Sequence, residues 1–93
     1  QAVSLNPKLT SARINLGSTL LSDGDLKGAA DAYREATNIA PSDPEGHFGL
    51  SRALEKLGDK SGAKSELSKF IDSASQTDAR LPAAKRRLSE LSQ

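Results

Sequence analysis

LGSTLLSDGDLKGAADAYREATNIAP, residues 16–41, holds two amphipathic segments and one turn. Leu16, Leu20 and Leu21 recur at helical spacing before Gly24-Asp25, and Ala29, Tyr33 and Ala36 recur at it afterwards. Gly24-Asp25 is a stop followed by a start. Glycine accepts the left-handed C′ position that ends one helix, and aspartate caps the free N–H groups of the next. The same grammar returns downstream in a register of 34 residues: Leu16 falls on Leu50, Leu20 on Leu54, Gly24-Asp25 on Gly58-Asp59, Gly28-Ala29 on Gly62-Ala63 and Ala40 on Ala74. Self-similarity at that period signals stacked helix pairs. Shifted the other way, Ala2 falls on Ala36 and Pro7 on Pro41, so the chain is expected to open in the last turns of an upstream unit and to be part of something longer.

Outward from this core stretch, Asp43-Pro44 marks another helix start, with aspartate at the N-cap and proline at the first helical position. Leu50, Leu54 and Leu57 line the helix that follows, and Ala63, Leu67, Phe70 and Ile71 line the fourth. A fifth helix after Thr77-Asp78 carries Leu81, Ala84, Leu88 and Leu91. The expected helices span 9–23, 26–40, 44–57, 60–74 and 78–91. Composition agrees. Leu and Ala supply 13 of the 93 residues each, whereas Val and Ile together supply four, a balance that suits helices and not half-buried sheets.

The pattern resembles the tetratricopeptide repeat, whose units carry a bulky residue, then Leu-Gly, a large apolar residue, Ala, an aromatic, Ala and Pro. Residues 10–43 match with Leu16-Gly17, Leu20, Ala29, Tyr33, Ala36 and Pro41, and depart only at Arg13 in the bulky slot. Residues 44–77 keep Leu50, Leu54 and Ala63, place His47 in the bulky slot, and depart at Ser51, Leu67, Phe70 and Ser75. The resemblance implies an all-α fold, an α-solenoid of antiparallel helix pairs. Its parts would be the end of an upstream repeat (1–8), repeat one (10–43), repeat two (44–77) and a capping helix (78–93). Gly17 and Ala29 are small where the helices of a unit cross, and Tyr33 fills the space between units.

Sharper chemistry finds little support. The chain has no cysteine, which excludes a disulfide scaffold, a cysteine zinc site and a thiol nucleophile, and one histidine, His47, which lacks a second imidazole or an evident nucleophile. Residues 58–65, GDKSGAKS, fall one residue short of a phosphate loop: Ala63 replaces its second glycine, and a helix instead of a strand leads in. Asp23 with Asp25 and Asp43 with Glu45 stand at helix ends, where carboxylates cap. Lys85-Arg86-Arg87 lacks interleaved aromatics and sits in a chain of net charge +1, which reads as a solvated face instead of a nucleic-acid or membrane surface. No apolar run approaches the ~18 residues of a membrane span. The opening QAVSLNP lacks the basic start and apolar stretch of a signal peptide, so the expected location is cytoplasmic, with a periplasmic one equally compatible. No enzyme activity, cofactor or metal is expected.

The resemblance implies a protein–protein interaction module that takes a peptide or helix of a partner in the groove lined by each unit's first helix. Its groove positions carry over to Ser11, Ile14, Asn15, Ser18, Leu21 and Ser22 in the first unit and Glu45, Phe48, Gly49, Arg52, Glu55 and Lys56 in the second, with Arg86 added by the cap. From these, Ile14, Asn15, Ser18, Ser22, Phe48, Arg52, Lys56 and Arg86 are the expected partner-binding set. Asn15 offers an amide to an extended peptide, Phe48 a flat apolar platform, and Arg52 with Lys56 a site for an acidic side chain. A two-carboxylate clamp known in the family is absent, since Ile14, Ser18 and Gly49 hold its places. The alternatives are a structural spacer or self-association segment, joined through an exposed N-terminal edge, and an accessory domain of a larger enzyme.

Overall fold

A computed structural model describes the chain from residue 7 onward, with the side chains described from residue 8. Five helices follow one another: α1 (Pro7–Ser22), α2 (Leu26–Ile39), α3 (Pro44–Lys56), α4 (Lys60–Ser73) and α5 (Leu81–Leu91). The described residues contain no strand. Consecutive helices pack in pairs, α1 on α2 and α3 on α4. The pairs stack through α2 and α3 with a lighter touch between α1 and α3, and α5 lies against α4. This is the expected α-solenoid. The proposed end of an upstream repeat lies outside the described residues except for its last two, which form the start of α1. Pro7 there takes the place that suits a residue with no N–H to donate.

The two Gly-Asp turns are built alike. Gly24 and Gly58 adopt φ of 86° and 89°, a region costly for any side-chain-bearing residue. Behind Gly24, the N–H of Asp25 reaches the carbonyl of Leu20 at 2.9 Å; behind Gly58, the N–H of Asp59 reaches that of Leu54 at 2.9 Å. These bonds close the helix ends. Each aspartate then accepts a hydrogen bond from the third residue of the next helix, Gly28 N–H at 3.0 Å and Gly62 N–H at 2.9 Å. Asp43 caps α3 by accepting from Glu45 N–H at 3.0 Å.

The core joins Ala29, Ala30 and Tyr33 of α2, Leu50, Ala53 and Leu54 of α3, Ala63, Leu67 and Phe70 of α4, and Leu81, Ala84 and Leu91 of α5. Tyr33 lodges between α1 and α3. A β-carbon on Gly17 would stand 2.9 Å from its ring, and one on Gly49 would collide with it. Gly49 is therefore a packing residue, not the groove position expected for it. Phe70, which replaces the small alanine of the repeat pattern, is the largest fully buried side chain.

Two expected core positions are exposed. Leu16 is 42% exposed although its repeat partner Leu50 is 2% exposed. Leu50 belongs to a helix packed against the preceding α2, and among the described residues α1 has no helix before it. Leu57 is 42% exposed because it caps the end of α3 beside the turn at Gly58. The fifth helix starts at Leu81, three residues later than expected. Asp78 there accepts from the backbone N–H of Arg80 at 2.9 Å and its carbonyl from Leu81 N–H at 3.0 Å, which makes a turn, and Pro82 heads the helix.

Candidate functional site

The apolar stripe of α5 turns Leu81, Ala84 and Leu91 inward and leaves Lys85, Arg86 and Glu90 in solvent. That orientation brings α5 alongside α3 and opens a cleft of about 420 Å³ between them. Its floor is Phe48, Leu67, Ala83 and Ala84, and its charged walls are Arg52, Glu55, Arg80 and Arg87. A smaller hollow of about 230 Å³, bounded by Arg52, Glu55 and Lys56, continues along α3.

Two of the three cleft arginines are already held. Arg80 meets Glu45 through two parallel hydrogen bonds of 2.8 and 2.6 Å, and Asp78 through Nε at 3.0 Å and Nη2 at 2.8 Å. Its guanidinium also lies 5.1 Å from the ring centres of both Phe48 and Phe70, which are themselves 4.8 Å apart. One arginine thus ties the start of α3 to the start of α5 and covers an aromatic pair. Hydrogen bonds from Arg80 hold the Asp78 carboxyl down at about 2, while the carboxylates of Glu45 and Asp78 raise the guanidinium further above its ordinary value. Arg87 bonds Glu55 across to α3 and Glu90 within α5 at 2.9 Å. Its hydrogen bond is the main cause that lowers the Glu55 pKa, against a burial cost that raises it. Arg52, by contrast, is exposed and has no ion-pair partner among the described residues.

The expected partner-binding set is divided by this geometry. Phe48 and Arg52 line the cleft, and Lys56 borders the hollow beside it. Phe48 is half-buried against Phe70 under Arg80, so its ring supports the fold as well as the cleft. Arg87 lines the cleft from α5, while Arg86 lies outside the lining, one residue around the helix. Ile14, Asn15, Ser18 and Ser22 stand on α1, away from the cleft. Asn15, Ser18 and Ser22 are exposed, and Ile14 packs against the edge of the core. Arg80 escaped sequence reading. Its spacing from Glu45 is 35 residues, and the only local signal was Asp78 two residues before it.

His47 occupies a second site, on the side of α2 and α4. The ring is buried at 6% exposure, with Nδ1 at 2.8 Å from Glu66 Oε1 and Nε2 at 2.6 Å from the carbonyl of Pro41. Glu66 also meets Lys69 at 3.2 Å. The hydroxyls of Thr37 and Ser73, which line a separate hollow of about 630 Å³ together with His47 and Glu66, donate to helix carbonyls of Arg34 and Lys69. The imidazole therefore joins the end of the first unit to both helices of the second. No group of three or more metal-ligating side chains occurs among the described residues, and no helix there is long and apolar enough to cross a membrane.

No curated protein matches the chain significantly. A family model described as the tetratricopeptide repeat matches residues 20–88, which include the last three residues of α1, helices α2 to α4 and most of α5. Both Gly-Asp turns, the stacked antiparallel pairs and the aromatic wedge at Tyr33 fall within or beside that span. The chain belongs to the tetratricopeptide repeat family.

Proposed function

We propose that this chain is a protein–protein interaction module that binds an extended peptide, or a helix of a partner, on the face formed by α1, α3 and α5. Family membership supports a role in protein association in general. The observation that carries the finer reading is the cleft between α3 and α5, with an apolar floor and charged walls. Clefts of about 300–1,000 Å³ with apolar floors and few polar groups suit ligand binding. On this reading Asn15, Ser18 and Ser22 of α1, with Ile14 beneath them, extend the surface past the cleft, and Arg52, Lys56 and Arg86 supply its positive charge. Chemical-shift mapping of a peptide selected from a random library tests it. Changes confined to α1, α3 and α5 are expected, whereas changes centred on α2 and α4 would refute it.

Self-association is a second reading, favoured by one observation. Leu16 leaves a large apolar side chain 42% exposed on α1, and such surface tends to find a partner when contiguous. Sedimentation at millimolar concentration is expected to show an oligomer that Leu16→Glu dissolves; a strict monomer rules it out.

A further inference from the structure

The charge arrangement in the cleft narrows what it takes, on the premise that the α1–α3–α5 face binds a peptide. We infer that the α3–α5 cleft receives a peptide segment bearing a bulky apolar side chain within a turn of an acidic one. The apolar group rests on Phe48, Leu67, Ala83 and Ala84, and the carboxylate is held by Arg52.

Three observations lead there. The first is the uneven commitment of the cations. Arg80 and Arg87 each already serve two carboxylates, so they act as fixed walls whose charge is balanced within the chain. Arg52 lines the same cleft from α3, exposed, with no ion-pair partner among the described residues. A guanidinium offers a forked set of donors that fits one carboxylate. The second is the floor. Leu67 and Ala84 are buried, and Ala83 is exposed, so a small residue leaves room where a larger one would fill the cleft. The third is the shape. The cleft runs on into the hollow at Lys56, and the two share Arg52 and Glu55, which describes a track along α3 and suits an elongated occupant. A nucleic-acid strand fits poorly. Its repeated phosphates require several uncommitted cations and open aromatic faces, whereas the uncommitted cations along the track are Arg52 and Lys56 and the Phe48 ring is covered by Arg80.

The test pans a random dodecapeptide library on phage against the full chain, then measures synthetic copies of the selected peptides by fluorescence polarisation. Enrichment of Asp or Glu beside Leu, Ile or Phe is expected. Arg52→Glu is expected to weaken the selected peptide by about tenfold or more, and Arg52→Ala by less. Ala83→Phe, which fills the floor without altering charge, is expected to weaken it comparably. Both positions are solvent-facing, so circular dichroism is expected to show intact folds; should Arg52→Glu misfold, Arg52→Ala decides. Peptides that bind with no acidic preference, or are indifferent to both Arg52 variants, overturn this inference, and shift changes on α1 in that case leave the interaction-module reading standing. No enrichment at all defeats both. A dimer in sedimentation that Ala83→Phe dissolves would put a second copy in the cleft and overturn the peptide assignment.

Discussion

Tyr33 shows how one side chain sets the spacing of three helices. Its ring sits between Gly17 of α1 and Gly49 of α3, and at 5% exposure it has nowhere to move. Alanine is ordinarily favoured over glycine inside a helix by ~1 kcal/mol. At Gly49 the sign is expected to reverse, because the added methyl collides with a rigid ring and overpacking costs about 1–3 kcal/mol. Urea denaturation of Gly49→Ala checks this; a stabilised variant would mean that the ring yields easily. His47 makes a comparable point with polar atoms. Its two ring nitrogens stand within hydrogen-bond distance of Glu66 and of the Pro41 carbonyl. His47→Phe keeps the volume but leaves two part-buried acceptors without this partner, and a loss of about 1 kcal/mol is expected. Glu66→Gln, which retains an acceptor, is expected to cost less in the same assay. Phe48 carries a lesson for binding experiments: its contact with Phe70 and Arg80 means that Phe48→Ala lowers the thermal midpoint, so a lost affinity there would not locate a ligand.

Among the elements, α5 depends most on side chains distant in sequence. It has no capping side chain at its start, and it packs mainly on α4. Arg80 substitutes for a cap by anchoring the entry to Glu45 of α3, and Arg87 fastens the middle to Glu55. Arg80→Ala is expected to cost about 1–2 kcal/mol, the sum of partly exposed ion pairs and ring contacts, and to lower hydrogen-exchange protection in α5 before the other helices. Lysine is not expected to rescue it, since an ammonium does not reproduce the forked geometry. The same anchor gives a pH dependence. The Asp78 pKa is depressed to about 2 in the folded chain by hydrogen bonds from Arg80, against about 3.9 for a free aspartate. A depressed carboxylate contributes stability that is fully present above the unfolded value and is lost as pH falls towards the folded one. Stability should therefore decline between about pH 4 and pH 2, and Asp78→Asn should flatten that part of the profile in thermal melts followed by circular dichroism.

At the scale of the whole molecule, each helix pair leans on its neighbours, and stability follows from how many neighbours it has. The buried residues concentrate in α2 and α3, while α4 and α5 hold three each and, among the described residues, α1 contributes only Thr10 and Gly17. Hydrogen exchange is expected to be slowest in α3 and fastest in α1, because unevenly buried elements open locally at different free energies. Uniform protection across all five helices would show that the array unfolds as one unit.

The residues alone were sufficient for the local grammar. Gly24-Asp25, Gly58-Asp59 and Asp43 set helix ends through hydrogen bonds that reach no further than five residues, and the Leu and Ala spacing put the right faces inward at Ala29, Leu50, Ala63 and Leu91. A 34-residue register then followed, because a helix pair cannot bury both faces without its neighbour. The late start of α5 was partly legible in Pro82, but Asp78 looked equally like a cap until its carboxylate proved committed to Arg80. Tertiary structure decided the rest. Whether Gly49 lines a groove or receives Tyr33, and whether Leu16 is covered as Leu50 is, depend on which helix lies alongside. The candidate site belongs to that second group: Arg80 with Glu45, Arg87 with Glu55 and His47 with Glu66 join residues 19 to 35 positions apart. Such pairings leave no periodic trace, since any of the chain's cations can meet any of its carboxylates once they reach the surface, and only the packing of α5 against the second unit selects which arginines are bound and leaves Arg52 without an ion-pair partner among the described residues.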